Sequence, residues 1–148
     1  MTVKSFRGLI AHNAVDTISL RTNNGSTGYK IKSLQIIAED PTAKNMESVF
    51  KIYKIPQTVA GITDKIDFSD NTLLGAAFLH NSNSALYELS TIIVFDNEIF
   101  NQDIYLTHTE PNASGSLSYY IELEQVKLAL DQNTVATLKD IRNIQEPL

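Results

Sequence analysis

The sequence predicts an all-β fold: an antiparallel β-sandwich of seven to nine short strands, with the jelly roll as one form open to it and one short helix near the C-terminus. Three observations lead there. Apolar and polar residues alternate with period two along several runs; Gly, Pro, Asn and Asp clusters separate those runs at hairpin spacing; and nothing repeats the strand-then-helix rhythm of a parallel sheet. With 148 residues and 43% hydrophobic content, the chain is long enough to close one domain, residues 1–148, around a single core.

The first alternating run, residues 16–22, sets Ile18 and Leu20 on one face and Thr17, Ser19 and Arg21 on the other. Asn23, Asn24 and Gly25 end it with residues that tolerate positive φ. Residues 29–38 follow with Leu34, Ile36 and Ala38 on a shared face, so the two runs are expected to form a hairpin. Asp40 and Pro41 close the second run. Residues 49–55 carry apolar groups on both faces, Val49, Tyr53 and Ile55 opposite Phe50 and Ile52, which predicts an interior strand. Pro56 cannot donate to a ladder, so the strand ends there and residues 57–71 form a long polar excursion. Residues 72–80, TLLGAAFLH, fit either a short helix or a strand lying close to a neighbour. After a polar turn at 81–84, residues 86–89 fit a short strand, and the β-branched and aromatic residues 91–95 a buried one.

The clearest alternation lies in residues 104–128. Ile104 and Leu106 oppose Tyr105 and Thr107; further on, Leu117, Tyr119, Ile121 and Leu123 oppose Ser118, Tyr120, Glu122 and Glu124. The pattern predicts an antiparallel pair with one wet face, joined by a loop around Pro111 and Asn112. That loop, roughly seven residues, exceeds ordinary hairpin length and can reach a neighbouring molecule. Tyr105 and Tyr120 fall on the wet side, where a rigid ring with a hydroxyl suits a protein contact; cross-strand packing is the other use of such rings. These four residues are the candidate interface. Beyond Leu130, Val135, Leu138 and Ile141 recur every three residues behind caps at Asp131 or Asn133. That favours a short amphipathic helix that caps the core, with docking on a neighbour as its other use, and a strand as the alternative because Thr134, Val135 and Thr137 are β-branched.

Composition excludes several functions. A net charge of -5 gives no basic field for a phosphate backbone, so nucleic acid is not an expected partner. No run approaches the ~18 apolar residues that span a bilayer, and the start MTVKSFRGLI lacks an export signal, so the protein is expected to mature where it is made, away from membranes. Without cysteine there is no disulfide, thiolate metal site or thiol nucleophile. His12, His80 and His108 show no ligand spacing and are expected to make ordinary surface contacts. Asp64, Asp67 and Asp70 lie three apart, not at the alternate positions of a calcium loop, and read as a solvated acidic loop. Glu122 and Glu124, roughly 7 Å apart along one strand face, match a glycosidase pair in distance alone. No catalytic residue, metal or cofactor is therefore assigned, and the chain is not expected to be an enzyme.

The stretches GYKIKSLQII, ESVFKIYKIPQT, DFSDNTLL, VFDNEIFNQDIYLTHTE, SYYIELEQVKL and NTVATLKDIRNI together resemble small virion structural proteins of marine tailed phages, including those that infect cyanobacteria. The likeness runs from residue 29 to residue 144 as a series of ordered segments. It implies a particle component made in the host cytoplasm and located in the virion, with no substrate. Its expected partners are copies of itself, as a trimer or hexamer, and other virion proteins, since identical contacts that close avoid open polymers. A β-sandwich module that recognises a cell-surface glycan is the alternative, although the absence of Trp removes the best sugar-stacking ring.

Overall fold

The computed structural model describes residues 2–20, 26–42, 45–81, 89–95 and 97–128. Within them run β1 (Thr2–Ile10), β2 (Ala14–Ile18), β3 (Thr27–Ala38), β4 (Glu47–Tyr53), β5 (Leu73–His80), β6 (Leu89–Val94), β7 (Ile104–Thr109) and β8 (Leu117–Lys127), with a 3-10 turn at Val59–Gly61. All the strand pairs are antiparallel, in two sheets ordered β1-β8-β3 and β2-β7-β4-β5-β6. The predicted all-β sandwich is therefore the observed class. The strand at 86–89 lies largely, and the helix or strand at 134–143 wholly, outside the described residues.

Both predicted hairpins are replaced by crossings between sheets. β2 pairs with β7 and β3 with β8, so residues 16–22 and 29–38 do not form a ladder. Likewise β7 lies between β2 and β4 while β8 lies between β1 and β3, so the 104–128 segment passes from one sheet to the other. Alternation dictates which face of a strand turns inward. It leaves open whether a short connection returns the chain to the adjacent ladder or carries it over the core.

Three further points differ or sharpen. The alternation assigns no strand before residue 16, yet Thr2–Ile10 is paired with β8 along its whole length. Residues 72–80 resolve as strand β5, whose Gly75 lies within 3.2 Å (from an ideal Cβ) of the Ile93 carbonyl, a close approach only glycine allows without adjustment. Residues 91–95 were expected to be buried, but β6 is the edge of the five-stranded sheet, with Thr91 and Ile93 exposed. β4, predicted interior, lies between β7 and β5.

One apolar cluster fills the space between the sheets, with Phe50, Ile52, Ile104 and Leu106 facing Ile10, Ile31, Leu117 and Ile121. Burying side chains of this size contributes about 1.5–3 kcal/mol each. Phe50 and Tyr119 stack across the core with ring centroids 5.5 Å apart. The Tyr119 ring lies over Gly8, where a Cβ would come within 2.7 Å of its hydroxyl, and that hydroxyl donates to Asp16 Oδ2 on β2 at 3.2 Å. One side chain thus ties the two sheets along the edge formed by β1 and β2. Burial and the neighbouring Asp16 carboxylate push the Tyr119 hydroxyl up to about 12.

Candidate functional site

Residues able to do chemistry converge where β7 ends, and their geometry shows what they do. Ile104, Leu106, His108 and Glu110 have the same parity, and His108 and Glu110 continue the buried series. His108 Nδ1 is 2.9 Å from the Ala11 carbonyl, which can only accept, so Nδ1 carries the proton; Nε2, 3.1 Å from Ser48 Oγ, then accepts from that hydroxyl. Burial holds the imidazole below its ordinary pKa, against the Ala11 bond that favours the charged form. His12 Nδ1 accepts the Glu110 backbone N–H at 2.9 Å. His108 is thus a core residue, not the surface histidine its isolation in sequence suggests.

Glu110 is a buried carboxylate satisfied entirely by backbone. Its Oε1 accepts the N–H of Glu47 at 2.7 Å and of Asn112 at 3.3 Å, while Oε2 accepts those of Ala113 at 2.7 Å and Gly115 at 3.0 Å. Burial alone would raise its pKa, but the four N–H bonds outweigh that and hold the carboxyl below the usual range. The ring of bonds shapes the 110–116 connection, in which Ser114 takes φ of 55°. No lone pair is left facing a substrate. Among the described residues no group of His, Asp and Glu is arranged to hold a metal ion.

A second buried charge shapes the 57–71 excursion. Lys51 points to the outer face of β4, and its Nζ donates to the carbonyls of Lys65 at 2.7 Å and Thr63 at 3.1 Å. The excursion is thereby folded over the outside of the five-stranded sheet. Burial lowers the ammonium pKa, countered by the charges of Asp64 and Asp70. Asp67 and Asp70 do not converge on a cation: each caps a turn, Asp67 accepting from Ser69 and Asp70 from Thr72.

The two outer faces carry what remains accessible. On the three-stranded sheet the register sets Leu9, Ser118 and Ile37 in one row and Arg7, Tyr120 and Gln35 in the next. Arg7, Gln35, Ile37, Ser118 and Tyr120 line a shallow groove of about 450 Å³. Leu9 is 51% and Ile37 59% exposed. Further along the same face Glu122 accepts the Tyr120 hydroxyl at 3.0 Å, and Glu124 pairs with Lys30 at 3.5 Å. Arg7 has no carboxylate partner among the described residues.

On the five-stranded sheet, Ala76, Phe78, Thr91 and Ile93 form the floor of a small apolar groove walled by Ile66 and Phe68 from the excursion. Phe68 is 57% exposed and meets Phe95 edge-on at 5.4 Å. Asp64 and Asp67 are exposed in the same loop, with Lys65 between them.

The predicted interface residues are dispersed. Tyr105 lies on the outer face of β7, paired across the ladder with Tyr53 and Thr17, whereas Tyr120 lies on the outer face of the opposite sheet. Both are half-buried and they are not on adjacent strands; Pro111 and Asn112 are exposed on the connection that Glu110 shapes. Sequence reasoning missed Glu110, Lys51 and the Ile66–Phe68 wall. The parity of 104, 106, 108 and 110 pointed to the first, and two apolar residues at alternate positions in DKIDFSD to the last. No protein-family model matches the chain, and a search of curated proteins finds no match either.

Proposed function

We propose that this chain is a structural component of a phage particle, made in the host cytoplasm, that works by self-association or by docking on other virion proteins and not by catalysis. The observation that carries this reading is where the polar and apolar groups lie. Glu110, His108 and Lys51 spend their hydrogen bonds on holding the chain, while large apolar side chains stand exposed on both outer faces. The resemblance of ordered segments to virion proteins supplies the biological setting. A jelly roll is part of the proposal: the orders β1-β8-β3 and β2-β7-β4-β5 support it, while β6 pairs with β5 at the edge of the second sheet and gives the two sheets three and five strands.

The test is the solution mass, measured by light scattering on a sizing column over a wide concentration range. A stable multiple of 16.5 kDa, three or six copies, is the expected result. A monomer throughout, with no binding to the other proteins of its particle, would sink the proposal. One observation favours a second reading: Arg7, Gln35 and Tyr120 side by side in an open groove resemble a sugar-binding platform. A glycan array without a hit at high valency would dispose of it.

A further inference from the structure

We infer that β1 is a self-pairing edge: two copies set their β1 strands antiparallel across a two-fold axis at Phe6, joining two three-stranded sheets into one of six strands. The inference rests on the self-association reading and deepens it, since a two-fold contact selects the six-copy assembly over the three-copy one. Four strands lie at sheet edges, and three of them are blunted. β2 and β6 are short, five and six residues, while β3 carries a register shift between Ile31 and Ser33 and has Tyr29 bonded to Phe100 in both directions, at 2.7 and 2.9 Å. β1 is nine residues long, free of proline and paired with β8 without a shift, and no described strand lies on its other side. Thr2, Val3, Lys4 and Ser5 are exposed one after another, so both faces of that stretch are open as well as its edge. What satisfies an unpaired row of alternating N–H and C=O groups is another strand.

The side chains of β1 match a second β1. With Phe6 facing the partner's Phe6, Val3 meets the partner's Leu9, both exposed apolar groups in the monomer, Ser5 meets the partner's Arg7, and Lys4 meets the partner's Gly8. Each cation then finds a carboxylate. Glu122 lies beside Ser5 in the β1–β8 register, so the partner's Arg7 reaches it over the short serine, while the Tyr120 hydroxyl stays on Oε1. On the inner face Lys4 extends over the partner's Gly8, where in each copy the Tyr119 hydroxyl donates to Asp16. The two Arg7 side chains lie diagonally across the axis and turn away from each other toward these carboxylates. Glu124, in the Val3 row, is paired with Lys30 at 3.5 Å, and Glu39 lies past the end of β3, two strands from the edge. Other registers match less well. Centring on Ser5 leaves Leu9 and Ile10 unpaired and sets Val3 against the partner's Arg7; centring on Arg7 puts the two guanidiniums directly opposite.

The test uses the whole chain in two ways. Arg7→Glu alone sets carboxylate against carboxylate at both ends of the contact, and Glu122→Lys alone sets cation against cation. Each should need about tenfold or more higher concentration to assemble in sedimentation velocity. An equimolar mixture should recover assembly, because a mixed pair joins opposite charges at both ends while the contacts within each chain stay as they were. The chain has no cysteine, so Phe6→Cys, which meets its own copy at the axis, should give a disulfide-linked dimer with oxidised glutathione. Opposite Cα atoms of an antiparallel ladder lie ~4.5–5.5 Å apart, within the span of a disulfide. Lys4→Cys, whose two copies lie roughly 14 Å apart along the pair, should not cross-link. Folded variants that assemble like the parent, a mixture that does not recover, or cross-linking of Lys4→Cys in place of Phe6→Cys would overturn the contact and leave self-association standing. A parent that forms trimers alone would do the same. A monomeric parent at millimolar concentration would overturn the contact and the homo-oligomer together.

Discussion

Glu110 and Lys51 solve the same problem with opposite charges and different reach. Each is buried, neither pairs with an opposite charge among the described residues, and each is satisfied by backbone dipoles. Glu110 gathers N–H groups from its own next five residues and from Glu47, so it closes a short connection between sheets. Lys51 gathers carbonyls 12 and 14 residues away, so it straps a long excursion onto a sheet already complete without it. The first is part of how the sandwich holds together. The second decides what the outer face looks like, and with it the groove beneath Ile66 and Phe68.

That difference sets the order of expected effects. Glu110→Gln replaces one acceptor oxygen with a donor facing N–H groups, leaving buried polar atoms unpaired, and is expected to cost about 3–5 kcal/mol in urea unfolding. A loss below about 1 kcal/mol would mean the four bonds are not holding the connection. Next comes acid. The folded pKa of His108 lies below its unfolded value of about 6.5, so the unfolded state binds more protons in that window. Stability should therefore begin to fall as pH drops through 6.5. Glu110, also depressed, adds a second fall below about pH 4.5. A urea midpoint that stays flat from pH 7 to 5 would contradict the His108 assignment, and one that shows no further fall below pH 4.5 the Glu110 assignment.

Lys51→Met should have the smaller effect, about 1–2 kcal/mol, because the freed carbonyls of Thr63 and Lys65 can turn to water as the excursion lifts. Its mark is local: faster amide exchange and protease cleavage at 57–71 with β7 and β8 unaffected. Global unfolding in step with that cleavage would show that the excursion is integral to the fold and erase the distinction.

The strand faces were largely legible in the sequence because alternation is a property of each strand taken alone. Ile104 and Leu106, or Tyr119 and Ile121, turn inward as their parity demands. Neighbours were not legible, since the ladder that β7 or β8 joins depends on a crossing over the core that the local pattern does not encode. Polar anchoring was hidden for a related reason. Glu110 and Lys51 look like any exposed charge until the fold brings Glu47, Thr63 and Lys65 to them. The outer patches were half legible: Ile66 and Phe68 stand out in a polar loop, but Leu9, Ile37 and Ile93 are ordinary strand residues until the register lines them up.

The most direct measurement is amide hydrogen exchange on dilute and concentrated protein, compared segment by segment. If β1 carries the contact, residues 2–10 should slow on concentration, while the 110–116 connection exchanges as before. Assembly that leaves 2–10 unchanged and protects 110–116 instead would place the contact on the connection around Pro111 and Asn112, and would contradict the account.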